Sequence, residues 1–176
     1  MRFTPLEITG AFVIDLEPVA DARGAFARSF CARAFADHGL ASVFPQHSRS
    51  YNTVKGTLRG LHWQEPPHQE AKLVGCPRGA IFDLCLDLRR NSPTYLQWRG
   101  VELSAENRRQ LYIPEGCAHG FQTLTDDAEV NYLISNEYAP QAARGARYDD
   151  PAFAIQWPAP VSMISDKDAG WPDWVR

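Results

Sequence analysis

The sequence lacks any long apolar run. Neither the opening Met1-Arg2-Phe3-Thr4-Pro5-Leu6-Glu7-Ile8 nor a later stretch reaches the length of a signal-peptide core or a bilayer span, which predicts a cytoplasmic protein with no membrane partner. It has no basic surplus either. Its 18 Lys and Arg stand against 21 Asp and Glu, a formal net charge of -3, which argues against a nucleic-acid partner held on a broad basic face. Cysteine is scarce: Cys31, Cys76, Cys85 and Cys117 form no Cys-x-x-Cys pair and no tight metal-ligand spacing, so they read as small apolar residues in a reducing compartment. Strong helical periodicity is almost absent, and no internal repeat or low-complexity segment stands out.

What is present is a series of short alternating stretches separated by Gly, Pro, Asn and Asp. With 176 residues and 44% hydrophobic content the chain can bury one sizeable core, predicting a single domain over residues 1–176. Candidate strands are Phe12 to Leu16, Phe44 to Tyr51, Thr57 to Gln64, Lys72 to Cys76, Ala80 to Leu88, Trp98 to Leu103, Gln110 to Ile113, His119 to Leu124 and Glu129 to Ser135. Ala32 to His38, closed by Gly39, has the pattern of a helix with a glycine stop, and a helical turn is placed near Ser165. The fold class is therefore all-β, a jelly roll or closed barrel with a few short helices.

Two strands carry a mixed message. In Ala80 to Leu88, Phe82, Leu84, Leu86 and Leu88 share one face, while Ile81, Asp83, Cys85 and Asp87 share the other, a row either solvated or lining a wet cavity. In Glu129 to Ser135, Tyr132 lies between Val130 and Ile134 on the apolar side, so its ring is buried and its hydroxyl needs a partner.

The most site-like stretch runs from Gly56 to Lys72. It brackets His62 with Arg59 and Lys72, and Gly and Pro fix the backbone between them. Histidine is the side chain best matched to proton transfer near neutrality. Two flanking cations suit an anionic substrate or a developing oxyanion. A strand carrying a satisfied histidine between two solvated charges is the plainer alternative. Further on, Pro114-Glu115-Gly116-Cys117-Ala118-His119 is a tight turn feeding a strand, and proline and glycine set the direction in which His119 enters it. Together, the glycine-led histidine strand and the Pro-x-Gly-x-x-His turn resemble the two-part pattern of a cupin barrel.

The resemblance then becomes specific. Arg23-Gly24-Ala25-Phe26, Gly56-Thr-Leu-Arg-Gly-Leu-His62, Lys72-Leu-Val, Asp87-Leu-Arg-Arg-Asn-Ser-Pro-Thr94, Leu111 to Phe121, Tyr138-Ala-Pro140, Asp149-Asp-Pro151 with Ile155-Gln-Trp-Pro158, and Ser165-Asp-Lys-Asp168 span nearly the whole chain. In that order they resemble the dTDP-4-dehydrorhamnose 3,5-epimerase family, cupin-fold enzymes of nucleotide sugars that need no cofactor. The resemblance implies proton removal beside the carbon-4 ketone of a nucleoside-diphosphate 4-keto-6-deoxyhexose and reprotonation from the opposite face. It makes His62 the base, Asp168 its anionic partner, Lys72 the cation at the ketone oxygen and Tyr132 the returning acid. Without it, Ser165 to Asp168 reads as a helix cap. Arg59 and His119 match substrate-holding residues, with Arg59 suited to a pyrophosphate. Arg23, Phe26, Gln46, Ser48, Tyr138 and Lys167 fall at further substrate-binding positions, Phe26 and Tyr138 flanking the base. The family also implies a homodimer in which a partner subunit supplies some contacts.

Three features leave alternatives open. Arg59 and His62 face opposite sides of a regular strand, so a bulge or twist is expected at Gly60. Arg28 stands where the family usually carries a glutamate that contacts thymine. Arginine only donates, so it would favour a base presenting an acceptor, as in a CDP- or GDP-linked sugar and a single-carbon epimerase; pairing with a surface acid is the plainer role. A metal-binding cupin would use His62, Glu70 and His119, but the second position of its histidine pair is Gln64, whose amide oxygen is a poor transition-metal ligand. No metal is therefore expected. A noncatalytic sugar-binding cupin stands outside the enzyme class.

Overall fold

The computed structural model describes residues 1–175. In chain order it contains β1 (Arg2–Pro5), β2 (Phe12–Asp15), β3 (Val19–Asp21), β4 (Gly24–Phe26), α1 (Ala32–Asp37), β5 (Gln46–Asn52), β6 (Leu58–Gln64) and β7 (Lys72–Arg78). There follow β8 (Ala80–Asp87), β9 (Trp98–Ser104), β10 (Gln110–Ile113), β11 (Cys117–Thr123), β12 (Ala128–Ile134), β13 (Ala143–Gly145) and α2 (Asp166–Ala169). Each expected strand forms, within one or two residues at most ends. β5 starts at Gln46 rather than Phe44 because Pro45 has no N–H to give a ladder. β1, β3, β4 and β13, of three or four residues, are too short to display an alternation.

Two antiparallel sheets make the jelly-roll barrel. One runs β1-β2-β10-β7-β12-β5, the other β13-β6-β11-β8-β9, and β3 with β4 forms a separate hairpin. Between the sheets lies a core that includes Val74, Ile81, Cys85, Leu111, Phe121 and Val130, with Tyr132 packed against it. The row Phe82, Leu84, Leu86 and Leu88 points the other way, packed with Trp63 of β6, Trp98 of β9 and Trp157 and Trp174 of the covering C-terminal segment. The mixed row of β8 is thus the interior one, and Asp83 and Asp87 are both fully buried rather than solvated. On the outside of the six-stranded sheet, Phe35 of α1 packs with Phe3, Phe12 and Phe44 over Leu73 and Tyr112.

Asp87 shows how the fold accommodates a buried charge. It accepts from the Arg89 N–H, Nε and Nη2 and from the hydroxyls of Ser92 and Thr94, so every lone-pair direction is occupied. Burial pushes its carboxyl up, but these donors outweigh it and bring it down to about 2. The loop after β8 is thereby tied to the barrel. Among the described residues no helix is long and apolar enough to cross a membrane.

Candidate active site

The site depends on one irregularity in β6. His119 of β11 pairs with His62, but Gly120 pairs with Gly60, so two steps on β6 match one on β11. The extra residue turns Arg59 and His62 to the same side, and both line one hollow. This is the bulge that their spacing demanded. Gly60 adopts a φ of +122°, and a Cβ there would stand 2.6 Å from Gly120 Cα and 2.8 Å from His119 O. Only glycine permits that approach.

His62 is partnered on one ring nitrogen. Its Nε2 lies 2.7 Å from Asp168 Oδ1, and the Gly60 N–H donates to Asp168 Oδ2 at 3.1 Å. Asp168 is buried at the start of α2, where its own N–H donates to Ser165 Oγ at 3.1 Å. The helix cap and the histidine partner are therefore one structure, since the cap uses the backbone of Asp168 and leaves its carboxylate for the ring. Burial pushes that carboxyl up, but the bond and charge of His62 and the Gly60 N–H outweigh it and hold it below the usual range. The His62 side chain is 43% exposed, open to the cleft.

Across the hollow stands Tyr132, brought in by the alternation of β12. Burial, reinforced by the charge of Asp83 and opposed by Ser50 and Arg59, pushes its phenol well up, so it stays protonated at neutral pH. Beside it His119 Nε2 lies 2.7 Å from Asp83 Oδ1, with the two rings of His119 and Tyr132 edge-on at 5.9 Å between centroids. Burial pushes Asp83 up despite the pull of His119 and Lys72. Arg59 Nε donates to Asn52 Oδ1 at 2.8 Å, which anchors the guanidinium.

Arg59, His62, Lys72, His119, Tyr132, Asp168 and Ser48 all border a hollow of about 310 Å³. A second, of about 290 Å³, shares His62, Lys72 and Ile134 and extends past Gln46, Tyr138 and Lys167. Together they have the size of a small-ligand cleft. Three expected binding residues are elsewhere. Arg23 is 91% exposed and paired with Asp21, Phe26 of β4 is 75% exposed, and Arg28 is exposed near Cys31, so this chain does not bring them to its own cleft. Conversely, Ser50, Phe121, Arg144 and Trp171 line the hollows without having been singled out. Ser50 was readable two residues after Ser48 on the same strand face, whereas Trp171 follows α2 and no periodicity points to it.

The residues of the metal-binding alternative do not converge. His62 and His119 each face a carboxylate, Gln64 accepts from the Ala139 N–H and donates to His68 O, and Glu70 pairs with Lys72. Among the described residues no three His, Cys, Asp or Glu side chains are grouped so that they could hold a metal ion.

Known proteins match this chain closely. A family model described as dTDP-4-dehydrorhamnose 3,5-epimerase matches residues 5–175. The dTDP-4-dehydrorhamnose 3,5-epimerase of Methanothermobacter thermautotrophicus is 44% identical over 173 residues, 97% of this chain and 92% of that protein. The dTDP-4-dehydrorhamnose 3-epimerase of Streptomyces niveus is 40% identical over 169 residues, covering 96% and 81%. Among solved structures, the dTDP-4-dehydrorhamnose 3,5-epimerase of Bacillus anthracis with TDP and PPi bound superposes with a TM-score of 0.94 at 38% identity, covering 98% and 99%.

Proposed function

Because the chain belongs to the dTDP-4-dehydrorhamnose 3,5-epimerase family, we propose that it inverts carbon 3, carbon 5 or both in a dTDP-linked 4-keto-6-deoxyhexose, by the residues gathered at the bulge of β6. The observation that carries this reading is that a carboxylate-paired imidazole and a buried phenol border the same hollow, with an ammonium at its edge. The free ring nitrogen of His62 takes the proton beside the ketone, and the pair of electrons moves onto the ketone oxygen. The ammonium of Lys72 stabilises that oxygen where charge develops. Asp168 orients the ring and stabilises the imidazolium. The Tyr132 O–H then gives its proton to the other face, and the enolate collapses to the ketone with inverted configuration. A carbon acid next to a carbonyl needs only such proton transfers, so no redox cofactor enters.

Arg59 and Lys167 suit the diphosphate, and Tyr138 offers a face on which the base stacks. The exposed β3–β4 hairpin and the open edge strand β5, with Tyr51 68% exposed, suit each other as parts of two copies. A homodimer would bring Arg23, Phe26 and Arg28 of one copy to the cleft of the other. The relatives named above support dTDP over CDP or GDP. Four unpaired cysteines suit a single-domain protein of the cytoplasm.

Deuterium wash-in from D2O into a dTDP-4-keto-6-deoxyhexose tests the scheme. His62→Asn should abolish exchange. Tyr132→Phe should lose inversion yet keep some exchange, because His62 is open to solvent and returns a deuteron to the face it came from. Exchange that persists in His62→Asn removes His62 as the base.

A further inference from the structure

Lys72 is held at two points. Its Nζ donates to His62 O at 3.2 Å and pairs with Glu70 Oε1 at 3.0 Å, in surroundings that leave the side chains of Lys72 and Glu70 only 11% and 6% exposed. An ammonium has three donors. One is given to His62 O, the ion pair with Glu70 holds the ammonium from a second side, and donor capacity is left for the cleft.

Glu70 is an odd carboxylate to bury for the fold alone. Its Oε2 is buried without a hydrogen-bond partner among the described residues, and the neighbouring Ala71 N–H is given to Ser135 Oγ instead. Asp87, in the same chain, shows what a carboxylate serving the fold looks like, with both oxygens met by several donors. An unmatched buried oxygen is unfavourable, and such a group calls for a reason. Among the described residues the one polar group that Glu70 engages through its side chain is Lys72, and it does so on the wall of the hollow that Lys72 shares with His62.

Resting on the role given above to Lys72, we propose that Glu70 is the positioning residue of Lys72, holding its ammonium at the boundary of the two hollows so that a free N–H meets the ketone oxygen as charge develops there. A lysine stem has four rotatable bonds and, unanchored, samples many rotamers. The backbone carbonyl of His62 alone gives one anchor, and Glu70 supplies the second that fixes direction. Because the first anchor belongs to the base itself, the two anchors together tie the ammonium to the position of the imidazole.

A double-mutant cycle on deuterium wash-in tests the assignment. Lys72→Ala should slow exchange by roughly 10²–10³-fold, and Glu70→Ala by about tenfold through loss of orientation. In the Lys72→Ala background, Glu70→Ala should change the rate by less than about twofold, because its effect passes through the lysine. An equal fall in both backgrounds would make Glu70 a structural residue and overturn the proposal. No effect of Lys72→Ala alone would instead overturn the role of Lys72 itself. Two milder variants decide the matter if Glu70→Ala does not fold. Glu70→Gln keeps reach and an acceptor and should stay within about threefold, whereas Glu70→Asp keeps charge but withdraws it by a methylene and should fall about tenfold. The reverse order refutes positioning.

Discussion

Replacing Gly60 by alanine should damage stability and activity together. The new Cβ would lie 2.6 Å from Gly120 Cα and 2.8 Å from His119 O, both backbone atoms that have no rotamer through which to escape. Restoring ordinary contact at ~3.5 Å requires β6 and β11 to part by roughly 0.7–0.9 Å. A φ of +122° adds ~1–3 kcal/mol for a residue with a side chain, and one stretched ladder bond adds about 1 kcal/mol. The sum is roughly 2–4 kcal/mol. The displaced residues are those that matter: the Gly60 N–H holds Asp168, and His62 lies two positions on. A shift near 1 Å in a reacting group lowers rate by about 10²-fold. Urea unfolding followed by tryptophan fluorescence and deuterium wash-in measure the two effects. Destabilisation below about 1 kcal/mol with exchange within about threefold of the wild type would refute the account of the bulge.

Three further outcomes follow from the same structure. Asp168→Asn should slow exchange by ~10²-fold or more while α2 persists, because the cap uses the backbone N–H of residue 168; wash-in and circular dichroism check this, and an unchanged rate would remove Asp168 as the partner of His62. Asp87 is lowered from 3.8 to about 2, so its donors contribute about 2 kcal/mol that is present above pH 4 and lost as pH falls toward 2. The stability gap between wild type and Asp87→Asn should therefore narrow over that window, and a gap independent of pH would contradict the depressed carboxyl. Phe26→Ala, at a side chain 75% exposed, should leave Tm unchanged and raise KM severalfold, by the ~1 kcal/mol of a lost stack; an unaltered KM would argue against the hairpin reaching a second cleft.

Much of this protein was legible before its coordinates. The strand sequence was written in alternation and turn residues, and Tyr132 was placed inward by its neighbours Val130 and Ile134. Even the bulge was foreseeable, because Arg59 and His62 could not share a regular strand face. Other facts were not local. Whether the Asp83 row of β8 faced water or interior depended on which side the C-terminal tryptophans covered, and those residues lie some 70–90 positions away in the chain.

By itself the sequence determined the all-β class and the family and singled out His62, because period-two patterning and short glycine and proline motifs act over a few residues. Tertiary structure alone decided which groups meet. Asp168, given to His62 by resemblance alone, reaches it across 106 positions, Asp83 reaches His119 from a neighbouring strand, and Glu70 pairs with Lys72. The physical reason is that partnership between charged groups depends on distance and burial, and a chain acquires both only when its sheets close on each other.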